Sequence, residues 1–223
     1  MDKQLKFYEA LSELYRFLPE EDQGELARVA MVRYLIGWAK NIDSALDLGC
    51  GEGYLCSLYK KWGIEFVVGA DSAISRIGFG KKRFAGSNFV QSNILSNSIS
   101  SKSFDIVSAV EVLEHIEDVE QCIKEMVRLS KKYVLITVPN EGKIVHTVCP
   151  QCFHKFEPAG HLHSFSIDTL TKMCSKYMNI LKVTDNYWIN HPFLKEMALP
   201  IMRKIRKGKN LKGNYIGLIG TVK

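Results

Sequence analysis

From residue 44 onward the chain alternates short apolar runs with helical stretches, and this alternation restricts the fold more than any other feature of the sequence. Ala45–Leu48 reads as a strand, Tyr54–Trp62 as a helix, and Glu65–Ala70 as a second strand that ends at Asp71. Ser72–Phe84 reads as a helix with Ser72 as its N-cap, Asn88–Gln91 as a third strand and Phe104–Val110 as a fourth. Val119–Ser130 is then helical, and Tyr133–Val138 is a fifth strand stopped by Pro139. A helix at Ser166–Tyr177 and strands at Ile180–Asp185 and Tyr215–Val222 complete the series. Such a β-α-β succession predicts an α/β fold, a doubly wound, mostly parallel seven-stranded sheet with helices on both faces. In sheets of this kind ligands bind beyond the carboxyl ends of the strands.

Ahead of the sheet, Leu5, Tyr8, Leu11, Leu14, Tyr15 and Leu18 recur at helical spacing as far as Pro19. A second helical pattern runs from Leu26 through Val29, Ala30, Arg33, Tyr34 and Ile36 to Gly37. Residues 1–40 are therefore expected to form a helical cover on one domain spanning 1–223, with a turn-rich insertion at 140–165. At 46% hydrophobic and 24% charged residues, the composition excludes a disordered or fibrous polymer. No run approaches the ~18 apolar residues of a membrane-spanning helix. Met1-Asp2-Lys3-Gln4 leads into an amphipathic pattern instead of a signal block, so a soluble cytoplasmic protein is expected.

The net charge of +6 is unevenly distributed. Beyond Glu196 there is no acidic residue, whereas Arg203, Lys204, Arg206, Lys207, Lys209, Lys212 and Lys223 are all basic; residues 1–196 sum to −1. A basic run such as 203–212 is usually a solvated loop, and the functional alternatives are contact with an anionic substrate, RNA or an acidic membrane surface.

The segment Asp47-Leu48-Gly49-Cys50-Gly51-Glu52-Gly53 falls where the first strand turns into the first helix. Glycines there let the backbone bend tightly and let a ligand come close. A dinucleotide fingerprint needs glycine at the sixth position of G-x-G-x-x-G, where this chain has Tyr54, so a nicotinamide-dependent oxidoreductase is disfavoured. Asp71 follows the loop by about twenty residues at the end of the second strand, a place from which a carboxylate accepts hydrogen bonds from both ribose hydroxyls.

Four motifs together resemble the class I methyltransferases that use S-adenosylmethionine, particularly their small-molecule branch. Ala45-Leu46-Asp47-Leu48-Gly49-Cys50-Gly51-Glu52-Gly53 looks like the first motif of that family. Phe104–Val107 with Glu111-Val112-Leu113-Glu114-His115-Ile116 is similar to its fourth-strand motif, and Val134–Asn140 to its fifth-strand motif. His161-Leu162-His163-Ser164-Phe165-Ser166 resembles the segment before its last crossover helix, so the likeness spans about residues 25–223. The resemblance implies that S-adenosylmethionine is the cofactor. Gly49, Cys50 and Gly51 would then meet its methionine moiety through the backbone, with Asp47 close by. Asp71 would hold the ribose with Ser72 beside it, Ser92, Asn93 and Ile94 would surround the adenine, and Val110 and Glu111 would line the site. Many relatives have Asp where Asn93 stands, and an Asn oxygen still accepts a hydrogen bond.

Methyl transfer to an oxygen or nitrogen that carries a proton needs a base, and histidine is the side chain best tuned to accept a proton near neutrality. His115 and His163 are the candidates, each with a purely structural alternative. Glu111 and Glu114 read either as polar walls of the site or as residues at a helix N-terminus, and for Glu114 the second reading is the expectation. Among six cysteines, Cys56, Cys122 and Cys174 fall in helical apolar patterns and are expected to be buried thiols. Cys149-Pro150-Gln151-Cys152 forms a C-x-x-C followed by His154, His161 and His163. A zinc site of Cys149, Cys152, His161 and His163 is one reading, and it competes with a catalytic His163. Two free thiols or a redox pair are the others. The expected partner is a small-molecule methyl acceptor. Methylation of RNA through the 203–212 segment and a non-catalytic zinc-knuckle interaction module are the rival functions.

Overall fold

The computed structural model describes residues 5–7, 9–10, 23–84, 86–140, 144–186 and 213–223. The basic run at 203–212 and most of the first expected helix, Pro19 included, lie outside the described residues. The elements in chain order are α1 (Gln23–Ile36), β1 (Ser44–Leu48), α2 (Tyr54–Lys61), β2 (Phe66–Asp71), α3 (Ile74–Arg83), β3 (Asn88–Gln91) and β4 (Phe104–Val110). A short 3-10 turn at Leu113–His115 leads to α4 (Val119–Leu129) and β5 (Ser130–Pro139). Then come a small hairpin of β6 (Thr147–Val148) and β7 (Lys155–Phe156), α5 (Ile167–Ser175), β8 (Met178–Asp185) and β9 (Tyr215–Val222).

Seven strands form one sheet in the order β3-β2-β1-β4-β5-β9-β8. β1 to β5 pair in parallel, and β9 inserts antiparallel to both β5 and β8. The chain moves outward from β1 to β3, then returns to start β4 on the other side of β1. That reversal opens a crevice at the carboxyl ends of β1 and β4.

Side-chain alternation explains why the strands read as almost continuously apolar: both faces are covered. Leu46, Leu48, Val107, Val134 and Ile136 face one layer, which they share with Cys122, Ile123, Met126 and Leu129 of α4 and Leu170 and Cys174 of α5. Ala45, Val67, Ile106, Leu135 and Ile219 face the other, with Met31, Val32 and Leu35 of α1 and Leu55, Cys56 and Tyr59 of α2. Thus α1 shares the cover of one face with α2. It reaches β9 because Gly217 has no side chain: a Cβ there would lie 2.6 Å from Leu35 Cδ1. Cys56, Cys122 and Cys174 are buried as expected, and burial pushes the Cys122 and Cys174 thiols up to about 12.

Several local expectations are corrected. α3 begins at Ile74 with Ala73 as its N-cap, not Ser72; Asp71 Oδ1 accepts the Ala73 amide at 2.9 Å, and the first helical amides turn to Glu9 instead of a capping side chain. β5 and β8 start earlier than their apolar cores suggest, at Ser130 and Met178. α5 is shorter than Ser166–Tyr177, and Ser166 sits outside it as the N-cap of a capping box with Thr169. Within the turn-rich stretch 140–165, the β6–β7 hairpin brackets Cys149 and Cys152.

Candidate functional site

The loop after β1 is tied to the end of β2. Gly49 and Cys50 donate their amides to Ala70 O at 2.7 and 3.1 Å, and Gly51 donates to Asp71 Oδ2 at 2.8 Å. Asp71 therefore uses one lone pair on each oxygen to brace the backbone, leaving further acceptor sites for a ligand. Gly49 has φ 72°, and a Cβ there would come within 2.6 Å of Val112 Cγ2, so this position admits only glycine without strain. On the far side of Asp71, its carbonyl accepts the Ser92 amide at 2.9 Å, and Asn93 Oδ1 accepts the Leu95 amide at 2.8 Å. These bonds shape a cavity of about 870 Å³ at the crevice.

Of the residues expected from sequence, Gly49, Asp71, Ser72, Ser92, Asn93, Ile94, Glu111, His115 and His161 line this cavity. Asp47, Cys50, Gly51 and Val110 lie behind its wall. Asp47 is buried beneath the loop, accepts the Ser108 hydroxyl at 2.7 Å, and is pushed up to about 7 by burial. Cys50 and Val110 pack against the α1–α2 layer.

The opposite wall comes from the end of β4 and from residues 157–161. Glu111 adopts φ 55°, a conformation rare for a side chain of this kind, held by its amide bond to Thr137 O at 3.0 Å. Its Oε1 accepts the Thr137 hydroxyl at 2.9 Å, Arg28 Nη1 lies 3.9 Å from its Oε2, and burial raises it to about 7. Glu114 is 1% exposed, and burial followed by the charge of Glu111 raises it to about 9. Its Oε2 has no hydrogen-bond partner, and the residue lines the cavity. At neutral pH Glu114 is thus a protonated acid.

His115 Nδ1 lies 3.1 Å from Gly160 O, which can only accept, so Nδ1 carries the proton and Nε2 is the basic nitrogen. Burial holds this imidazole below its ordinary range, so it is neutral at pH 7. Nε2 lies 3.7 Å from Glu114 Oε1, and the ring of His161 stands 4.9 Å from that of His115. The wall is pinned by the Glu114 carbonyl, which accepts the amides of Leu162 and His163 at 2.7 and 3.2 Å.

Two expectations fail here. His163 is not in the cavity lining; its Nε2 donates to Ile116 O at 2.9 Å, which fixes it as a brace for the 3-10 turn. The zinc set of Cys149, Cys152, His161 and His163 is not assembled either. His161 and His163 are drawn to the cavity wall by Glu157, Glu114 and Ile116, while the cysteines sit at the tip of the hairpin. Among the described residues, the one group of three or more metal-capable side chains is Glu114, His115 and His161, with ligand atoms within 4.8 Å of one another.

Nothing in the sequence pointed to Arg28, Arg76, Glu117, Asn214 and Tyr215 in the lining, and Glu114, expected at a helix terminus, is there as the site-wall alternative had it. Glu114 had a signal that could have been used: it sits in the fourth-strand motif, three residues beyond Glu111 and next to His115. Arg28 and Tyr215 carried none, since they arrive from α1 and β9. The N-terminal segment also reaches the rim: Leu5 lines the cavity, and Glu9 accepts the amides of Ile74 and Ser75 at 2.7 and 3.4 Å, at the start of α3. No described helix is long and apolar enough to cross a membrane.

Residues 1–177 match a family model described as "Methyltransferase domain". A curated ubiquinone biosynthesis O-methyltransferase from Sinorhizobium medicae is 37% identical over 81 residues, 34% of this chain and 32% of that protein. Another from Rhodopseudomonas palustris is 32% identical over 96 residues, 42% of this chain and 38% of that protein. The aligned part is therefore about a third of the length of these curated relatives. Among solved structures, the PH0226 protein of Pyrococcus horikoshii superposes with a TM-score of 0.65 at 18% identity, over 95% of this chain and 99% of that one. An S-adenosylmethionine-dependent methyltransferase from Mesorhizobium loti gives 0.63 at 13% identity, over 86% and 97%. At these identities the structural likeness shows the fold.

Proposed function

The chain belongs to the class I S-adenosylmethionine-dependent methyltransferase family, and from that premise we propose that it methylates an oxygen atom of a small-molecule acceptor. One arrangement carries the reading: a neutral His115 beside a protonated Glu114, on the wall facing the Gly49–Asp71 cradle in the same cavity.

The residues present suit the cofactor. Asp71, at the cavity wall, keeps acceptor sites beyond those given to Gly51 and Ala73. Ser92, Asn93, Ile94 and Leu95 supply a wall for the adenine, and the volume of about 870 Å³ holds a cofactor and a small acceptor together. When bound, S-adenosylmethionine supplies an electrophilic methyl group on a sulfonium. The chain's own residues do the rest. His115 accepts the proton of the acceptor hydroxyl at Nε2 while its Nδ1–H stays anchored on Gly160 O. Glu114 donates a hydrogen bond to the acceptor without adding a negative charge. Arg28 and Arg76 offer cations on the wall for a carboxylate or another anionic substituent. Leu5 and the Glu9 contact at α3 place the N-terminal segment where it excludes water.

The printed names of the curated relatives support oxygen as the acceptor atom. Methylation of RNA is the less favoured reading, since the printed names of the curated relatives point to a small-molecule acceptor. The deciding experiment is calorimetric titration with S-adenosylhomocysteine and with NAD, followed by transfer of labelled methyl to a panel of phenols and catechols. Micromolar binding of S-adenosylhomocysteine alone and transfer to a hydroxyl are the expected results. Absence of that binding overturns the cofactor, and transfer only to amines overturns the oxygen acceptor.

A further inference from the structure

The hairpin carrying Cys149 and Cys152 plays no part in the chemistry above, yet it is built with unusual care. Thr147 pairs with Phe156 and Val148 with Lys155, and the ladder continues one step as Cys149 donates its amide to His154 O at 2.9 Å. Cys149 thus stands opposite His154, and directly opposed residues of an antiparallel pair project to the same face. Phe153 then donates to Cys149 O at 2.9 Å and closes a tight turn that takes Phe153 to φ 57°. A left-handed aromatic residue is a true outlier. Burial does not hold it there, for the residue is 77% exposed. The turn brings the chain back on itself within the C-x-x-C, so that Cys149 and Cys152 flank one tight bend with His154 at its far end. Both thiols are free, and strained backbone of this sort points to a use.

We propose that this hairpin binds one zinc-class ion through the thiolates of Cys149 and Cys152 and the imidazole of His154, with water in the fourth position. Two thiolates at C-x-x-C spacing are the usual half of a tetrahedral zinc site, and a histidine on the same face is a usual third ligand. On binding, each thiol releases its proton to solvent, the imidazole coordinates as the neutral ring, and two negative charges balance the dication. Closing the site takes a rotation of the exposed His154 side chain.

The ion steadies one wall of the cavity. β7 runs directly into Glu157, which accepts the Gly160 amide at 3.1 Å and the His161 amide at 2.7 Å, and Gly160 in turn holds His115. This set differs from the Glu114–His115–His161 group, and the proposal does not depend on the methyltransferase reading.

The test uses the full chain, stripped of metal under reducing conditions and titrated with Co²⁺, then with Zn²⁺. One Co²⁺ per chain with a thiolate-to-cobalt charge-transfer band, displaced by Zn²⁺, is expected. Cys149→Ser with Cys152→Ser abolishes the band while S-adenosylhomocysteine affinity, or thermal melting if that ligand does not bind, stays as in the parent chain. His154→Ala weakens Co²⁺ by more than about tenfold, the loss known for groups that merely orient a ligand. His115→Gln leaves the band in place, which separates this site from the cavity cluster. A parent chain without the band overturns the proposal, as does a Cys149–Cys152 disulfide in protein alkylated on lysis. Unchanged Co²⁺ affinity in His154→Ala overturns the third ligand.

Discussion

The two walls of the cavity are made in opposite ways. The wall at β1 and β2 is backbone: Gly49, the loop amides and one carboxylate, Asp71, tied together over about twenty residues of chain. The wall at β4 and residues 157–161 is side chain: Glu111, Glu114, His115 and His161, drawn together across 45 residues by the bond from His115 to Gly160. On the proposed reading the first wall recognises by shape and by the acceptor sites Asp71 has left over. The second holds three groups whose proton affinities burial has moved, and it is where proton chemistry is possible. With the proposed function, the contrast becomes a division of labour, binding on one wall and reactivity on the other.

That division can be broken experimentally. The largest effect is expected from His115→Gln, which removes the basic nitrogen. Loss of a positioned base lowers kcat by roughly 10²–10⁴-fold, with S-adenosylhomocysteine affinity essentially unchanged by calorimetry. Parallel losses in both quantities would mean that the walls are not separate. Next comes Asp71→Asn, which swaps a carboxylate for an amide under the loop. A hydrogen bond to a charged group is worth about 1.5–3 kcal/mol, so cofactor affinity should fall roughly 10- to 100-fold, while kcat at saturating cofactor changes little.

A third test uses pH. Activity needs His115 neutral and Glu114 protonated, so kcat/KM should fall on the acid side below the ordinary histidine range, and on the alkaline side as Glu114 ionises near 9. Glu114→Gln should abolish only the alkaline limb. The same group acts on stability. Its folded pKa of about 9 lies above the ordinary 4.5, so the folded state keeps a proton that the unfolded chain loses. Stability is therefore full below about 4.5 and declines as pH rises toward 9. Thermal melting against pH should show a shallower decline for Glu114→Gln than for the parent chain. The smallest effect is expected from Asn93→Asp, since the new carboxylate can still accept the Leu95 amide; cofactor affinity should move by no more than about threefold, well under 1 kcal/mol.

Much of the first wall was legible beforehand because its signals are local. A glycine with a positive φ, a strand end and an acid about twenty residues on lie within one β-α-β unit, so Asp47–Gly53 and Asp71 could be read in order. The same locality misled at Ser72, where the helix starts one residue later and its first amides bond Glu9, far off in sequence. His163 and Glu114 were both misjudged, and for one reason. Which of two nearby polar side chains enters the cavity depends on the backbone around it, and there the Glu114 carbonyl and Ile116 O decide. Arg28 and Tyr215 had no local signal at all.

What the sequence determined by itself is the order of strands and helices, the apolar faces that bury them, and the glycine-rich turn, since each depends on spacing along a few neighbouring residues. Tertiary structure alone decided where β9 inserts, that α1 packs over β5 and β9, and that Glu114 and His115 meet the segment ending at His161 in one buried space. It also decided how protons are shared there. Proton affinity reflects water removed and charges brought near, and both are properties of residues that meet only when the chain has closed around them.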